Sequence, residues 1–194
     1  MSQLQSAGYF RNGMPYNRRG HGPRPLIVFQ GLMLENKPQA AWVFGLATAM
    51  YKFLDDDYTV YSVLRKPGMP QGYTMQDMAA DYAVMIREEF GGPVDVLGIS
   101  TGGSIVQHFA ADHPDLVVTI EAEDKHNFKD RLREIVAPTL VVAGGKDPFY
   151  TEALFRETAE GIPHARLILY KGMGHPAAGK QFEKDVLNFL KEGM

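Results

Sequence analysis

The sequence predicts an α/β domain, a mostly parallel sheet with helices on both faces. Three observations predict it. Short apolar runs rich in β-branched and aromatic residues alternate with longer amphipathic stretches along the chain. The 194 residues suit one domain, residues 1–194, with a single substantial core, and no repeat, low-complexity tract or linker divides them. The residues able to do chemistry, Leu32, Ser100, Asp147 and His175, each follow the end of an expected strand. Sheets of this kind place their ligands beyond the carboxyl ends of their strands.

Each element has its own signal. Leu26–Gln30 is a buried strand ending at Gly31. A helix is expected over Ala40–Phe53, with Trp42, Leu46, Met50 and Phe53 at helical spacing. Tyr58–Leu64 is aromatic and β-branched and reads as a strand. Thr74–Phe90 is a helix with Thr74 as N-cap and Gly91-Gly92 as its stop, and Met75, Met78 and Met85 lie on its core face. Val94–Leu97 is a strand, Ser100–Ala111 a helix before Pro114, and Val117–Ala122 a strand. A short helix near Asp130–Ile135 precedes the strand Leu140–Ala143. Thr151–Gly161 is helical, Arg166–Tyr170 a strand, and Lys180–Lys191 the closing helix.

Composition narrows the function. At 45% hydrophobic and 22% charged residues the chain is globular rather than disordered. A net charge of −3 argues against a nucleic-acid partner. The basic cluster Arg18, Arg19 and Arg24, beside Gly and Pro, is expected to be a solvated turn. There is no cysteine, which excludes disulfides, thiolate metal sites and a cysteine nucleophile. No metal or other cofactor site is expected: Asp55-Asp56-Asp57 lacks calcium-loop spacing, and no Lys-Ser/Thr follows Gly91-Gly92. No apolar run of about 18 residues spans a membrane. MSQLQSAGYF has no basic region before a long apolar stretch, so the default expectation is a cytoplasmic protein.

The strongest chemical signal is Gly98-Ile99-Ser100-Thr101-Gly102, a G-x-S-x-G match between a strand and a helix. A sharp turn there lifts the serine hydroxyl above the sheet edge, and only small residues two positions either side avoid a clash. The bland alternative is a serine N-cap after a turn glycine. A serine needs a base to take its proton. Of six histidines, His175 follows a strand within a glycine-rich loop; His108 and His113 read as packed or solvated helix residues, and His21, His126 and His164 have no motif. The base needs a carboxylate. Asp147 is the first candidate, with a turn aspartate before Pro148 as its bland reading and Glu121, Glu123 and Asp124 as alternative acids.

GISTGG, AGGKDPFY (Ala143–Tyr150) and GMGH (Gly172–His175) occur in the order Ser, Asp, His. Together they resemble the α/β-hydrolase superfamily over nearly the whole chain, in the manner of its esterases and lipases. The resemblance implies a nucleophile elbow at Ser100, an acid at Asp147 and a base at His175. It also implies an oxyanion hole made by the backbone N–H groups of Leu32 and Thr101. Many relatives have His-Gly before the first of these donors, where this chain has Gln30-Gly31.

Many relatives also insert a cap between the strand after the elbow helix and the strand carrying the acid. The stretch from Ser100 to Asp147 is filled by core elements, so a minimal core without a cap is expected. Ile120–Leu132 looks like the return from a cap, so a naturally small enzyme and a cap-deleted chain both remain open. Two functions follow. One is a serine esterase acting on small carboxylic esters through an acyl-enzyme, with acyltransferase and perhydrolase variants. The other is a non-catalytic binding or scaffold protein on the same fold. An uncapped rim exposing Leu32, Met33, Phe149 and Tyr150 would favour a homodimer.

Overall fold

The computed structural model describes residues 5–33, 35–123 and 128–192. Eight strands form one sheet: β1 (Gln5–Tyr9), β2 (Pro15–Gly20), β3 (Arg24–Phe29), β4 (Tyr58–Val63), β5 (Val94–Ile99), β6 (Val117–Glu123), β7 (Thr139–Gly144) and β8 (Ala165–Tyr170). Their order across the sheet is β1-β2-β4-β3-β5-β6-β7-β8. All pairs from β4 to β8 are parallel, whereas β1 and β2 form an antiparallel edge hairpin joined to β4. The chain steps from β3 outward to β4 and then returns to β5 on β3's other side. That reversal makes the carboxyl ends of β3 and β5 the switch point where such sheets bind ligands.

The helices are α1 (Ala41–Ala47), α2 (Met75–Glu89), α3 (Thr101–Asp112), α4 (Glu152–Gly161) and α5 (Lys180–Glu192). Strand periodicity divides the core into two layers. On β3, Ile27 and Phe29 face a cluster with Tyr82, Met85 and Ile86 of α2 and Ile105 and Phe109 of α3. Leu26 and Val28 face the opposite cluster with Phe182, Val186 and Phe189 of α5. Phe29 stacks on Tyr82 at 3.7 Å between ring centroids, and the Tyr82 hydroxyl donates to the Val63 carbonyl. Helix α2 begins with a reciprocal cap: the Asp77 N–H donates to Thr74 Oγ1, and the Thr74 N–H donates to Asp77 Oδ2.

Two expectations are corrected. The cluster Arg18-Arg19-Arg24 is not a solvated turn. Arg18 and Arg19 lie on β2, and Arg19 is buried in a two-point pair with Asp55, at 2.8 and 2.6 Å. Arg24 starts β3 and donates to Asp95 at 2.7 Å. The expected helix Ala40–Phe53 is broken at Thr48 into α1 and a tighter 3-10 segment, Ala49–Leu54. The Arg19 guanidinium takes the Thr48 carbonyl, and the Tyr51 N–H reaches that same oxygen across three residues. Of the apolar residues placed at helical spacing, Trp42 is 73% exposed, and the Leu46 side chain lies outside the described residues. No described helix is long and apolar enough to cross a membrane.

Candidate active site

Strand β5 delivers Ser100 directly onto α3 in a backbone conformation of φ 51° and ψ −128°. Ser100 is the one non-glycine with positive φ among the described residues. Such a conformation costs roughly 1–3 kcal/mol and persists only where surrounding packing imposes it. Two glycines show how. A Cβ on Gly98 would lie 2.6 Å from Gly103 Cα, and one on Gly102 would overlap the Phe29 carbonyl. Strand, turn and helix are thus pressed against β3 more closely than any side chain permits.

Gly31, just past β3, completes this contact. A Cβ there would stand 3.2 Å from Ser100 Cβ and 3.8 Å from its Oγ. The next peptide N–H, that of Leu32, belongs to the segment facing the serine. Thr101 opens α3, where the first amides have no intrahelical partner and the helix dipole favours negative charge. Among the described residues, neither the Leu32 nor the Thr101 N–H donates to another backbone group.

Asp147 and His175 come from the loops after β7 and β8. The two loops touch through backbone: the Gly145 N–H donates to the Tyr170 carbonyl, and the Lys146 N–H to that of Met173. A Cβ on Gly144 would overlap the carbonyl oxygens of Gly174 and Met173. Glycine in AGGKD is therefore what lets the loops close on each other. The His175 Nδ1–H donates to Asp147 Oδ2 at 2.9 Å, with the two side chains 11% and 0% exposed. Asp147 Oδ1 accepts the N–H groups of Phe149 at 2.8 Å and Tyr150 at 3.1 Å. These bonds hold the carboxylate in one orientation and leave its other oxygen for the imidazole. Phe149 and Tyr150 also meet the His175 ring, at 5.2 and 5.8 Å between centroids. Asp124 lies outside the described residues, as do the side chains of Glu121 and Glu123.

Three further side chains stand beside the site, and of these the sequence marks only Gln30, at Gln30-Gly31. Arg65, past β4 and 6% exposed, donates through Nη2 to the Gly31 carbonyl at 3.1 Å. Gln30 donates through Nε2 to Ser62 Oγ at 2.7 Å. Both of these side chains line a cavity of about 170 Å³ that reaches Ile99 and Pro176, the chain neighbours of Ser100 and His175. Leu32 and Phe149 are 77% and 71% exposed at the rim. Among the described residues no group of His, Asp and Glu is arranged to hold a metal ion.

A parallel sheet with a strained serine at its switch point, and an Asp–His pair on the loops of its last two strands, defines the class of this molecule. Solved structures share its fold. The chain superposes on a serine hydrolase involved in carbazole degradation with a TM-score of 0.79 and 16% identity, over 97% of this chain and 99% of that one. It matches the metagenomic α/β hydrolase MGS-MChE2, from lagoon sediments of Mar Chica, Morocco, at 0.79 and 17%, over 98% and 99%. It matches a protein of Thermoplasma acidophilum described as a predicted CIB-like hydrolase at 0.75 and 23%, over 97% and 98%. The chain has the α/β-hydrolase fold. In sequence it is similar to the non-heme chloroperoxidase CPO-A1 of Kitasatospora aureofaciens, 33% identical over 79 residues; the match spans 38% of this chain and 29% of that protein. No family model matches the chain.

Proposed function

We propose that this protein is a serine hydrolase that cleaves small carboxylic esters through an acyl-enzyme on Ser100. The observation that carries the reading is the strained Ser100 backbone at the start of α3. Strain of this kind has no purpose in a helix cap, where an extended serine serves without it. In the reaction, Ser100 Oγ attacks the ester carbonyl carbon while its proton passes to His175 Nε2. Asp147 holds the Nδ1 proton and stabilises the imidazolium. The N–H groups of Leu32 and Thr101 receive the oxyanion. Collapse breaks the bond to the alcohol oxygen, which leaves with the proton from His175. Water then gives its proton to His175, attacks the acyl carbon and releases the acid and Ser100.

Purified protein is assayed on p-nitrophenyl acetate and butyrate beside the Ser100→Ala protein. Turnover in the first and its absence in the second is the expected result; equal turnover in both overturns the reading.

The similarity to a chloroperoxidase favours a variant of the same chemistry. Hydrogen peroxide replaces water as acceptor, and the acyl-enzyme yields a peracid and free Ser100. Peracid formation from an acetate ester and hydrogen peroxide, absent in the Ser100→Ala protein, tests it.

A further inference from the structure

The interior cavity beside the elbow has walls of a particular chemistry. None of its lining residues is charged. Phe44, Tyr51 and Leu64, all at most 4% exposed, supply apolar walls. Five polar residues also line it: Asn17 is bonded at both ends of its amide to the Gln39 backbone, the Thr48 hydroxyl donates to the Phe44 carbonyl, and Gln30 and Ser62 are joined by the 2.7 Å hydrogen bond from Nε2 to Oγ. That bond uses one of the two N–H groups of Gln30 and one lone pair of Ser62. Neither side chain makes another hydrogen bond among the described residues. The pair therefore keeps a carbonyl acceptor, an amide N–H and a hydroxyl donor. Reversing the amide exchanges the partners but still leaves both donors and an acceptor.

We infer that this cavity is the acyl pocket, and that it selects a compact, uncharged acyl group bearing a hydroxyl or carboxamide that bonds to Gln30 and Ser62. The inference rests on the serine hydrolase reading and adds the substrate class to it. Three arguments support it. Size comes first: a cavity of about 150 Å³ accommodates one benzene ring, so about 170 Å³ takes a ring or a chain of similar bulk. Chemistry comes second. A charged group would be desolvated with no counter-ion in the walls, and a purely apolar one would leave the free groups of Gln30 and Ser62 unpaired. Position comes third. The acyl group stays on Ser100 through both halves of the reaction, which suits an interior pocket. The alcohol must leave, which suits the open side of His175, where Phe149 is 71% exposed. Glutamine at position 30 then has a purpose: its amide is turned into the cavity toward Ser62.

The test compares matched p-nitrophenyl esters. The 6-hydroxyhexanoate is measured against the heptanoate, and the 4-hydroxyphenylacetate against the 4-methylphenylacetate; the 6-aminohexanoate is the charged control. In the wild type, kcat/KM favours the hydroxyl ester by about tenfold or more in at least one pair, the worth of one hydrogen bond with otherwise stranded partners. The aminohexanoate is the poorest substrate. In Ser62→Ala and in Gln30→Leu the hydroxyl-to-methyl ratio falls toward one. A wild-type ratio near one in both pairs, with esters still hydrolysed, overturns this inference and leaves the hydrolase reading standing. A ratio that survives both substitutions places the selective contact elsewhere and also overturns it. A protein inert toward every ester, and unlabelled by a fluorophosphonate, overturns both readings.

Discussion

Arg65 grips the carbonyl oxygen of Gly31: a guanidinium 6% exposed donates to it at 3.1 Å, and no carboxylate pairs with that guanidinium among the described residues. The Gly31 carbonyl and the Leu32 N–H belong to one peptide unit, and a trans peptide aims them in opposite directions. Holding the oxygen therefore fixes where the N–H points and polarises it. In the proposed reaction Arg65 positions one oxyanion donor without touching substrate. Arg65→Met is expected to lower kcat by about tenfold to a hundredfold with little change in KM, a part of the loss seen when a whole donor is removed. Arg65→Lys, which keeps the charge, should fall between. Steady-state kinetics on p-nitrophenyl butyrate decide; a raised KM at unchanged kcat removes Arg65 from this role.

Asp147→Asn is expected to preserve the fold and to reduce kcat by roughly 10⁴, the scale known for the same change in another serine hydrolase. An amide in this place can face His175 Nδ1 with its N–H₂ and so put the ring proton on the wrong nitrogen. Kinetics beside circular dichroism check it. A milder effect than that of Glu121→Gln or Asp124→Asn would show that the acid is another residue.

Gly102→Ala is expected to destabilise the protein by about 3 kcal/mol or more, because its methyl overlaps the Phe29 carbonyl. Gly92→Ala, where a Cβ meets nothing within 4 Å, should change stability little. Urea denaturation of the two proteins side by side tests whether close approach holds the elbow.

Asp95 gives a pH prediction. Burial raises its carboxyl above the usual range, and the Thr119 hydroxyl and the Arg24 guanidinium pull it partly back. The folded protein then holds this proton more readily than the unfolded chain. The stabilisation is complete below the unfolded value of about 3.9 and is lost as pH rises through the raised folded value. Relative to an Asp95→Asn protein, which does not titrate there, the wild type should gain stability between pH 7 and pH 4. Urea midpoints at the two pH values test this; a relative loss on acidification contradicts it.

Much of the fold was legible because most of its strands and helices announce themselves by period. Leu26–Phe29 is apolar at every position since both faces of β3 are buried, and Thr74 marks the start of α2. The hairpin β1–β2 was not legible. The cluster Arg18, Arg19 and Arg24 reads as a solvated turn until Asp55 supplies the carboxylate that lets Arg19 be buried. The break at Thr48 was hidden for the same reason, since it depends on Arg19 arriving from another strand. Ser100, Asp147 and His175 stand in motifs whose glycines permit close backbone approach, which is local information. Arg65 and Ser62 carry no local mark, and the bond from Gln30 to Ser62 is hidden too, because these contacts arise only when β3 and β4 pair.

The central claim is that Ser100 is a nucleophile activated by His175. The most direct measurement is intact-mass analysis after incubation with a fluorophosphonate, followed by peptide mapping. The account predicts one adduct per chain, on Ser100, absent in Ser100→Ala and strongly slowed in His175→Ala. An unlabelled wild-type protein, or an adduct mapped to any other residue, would contradict it.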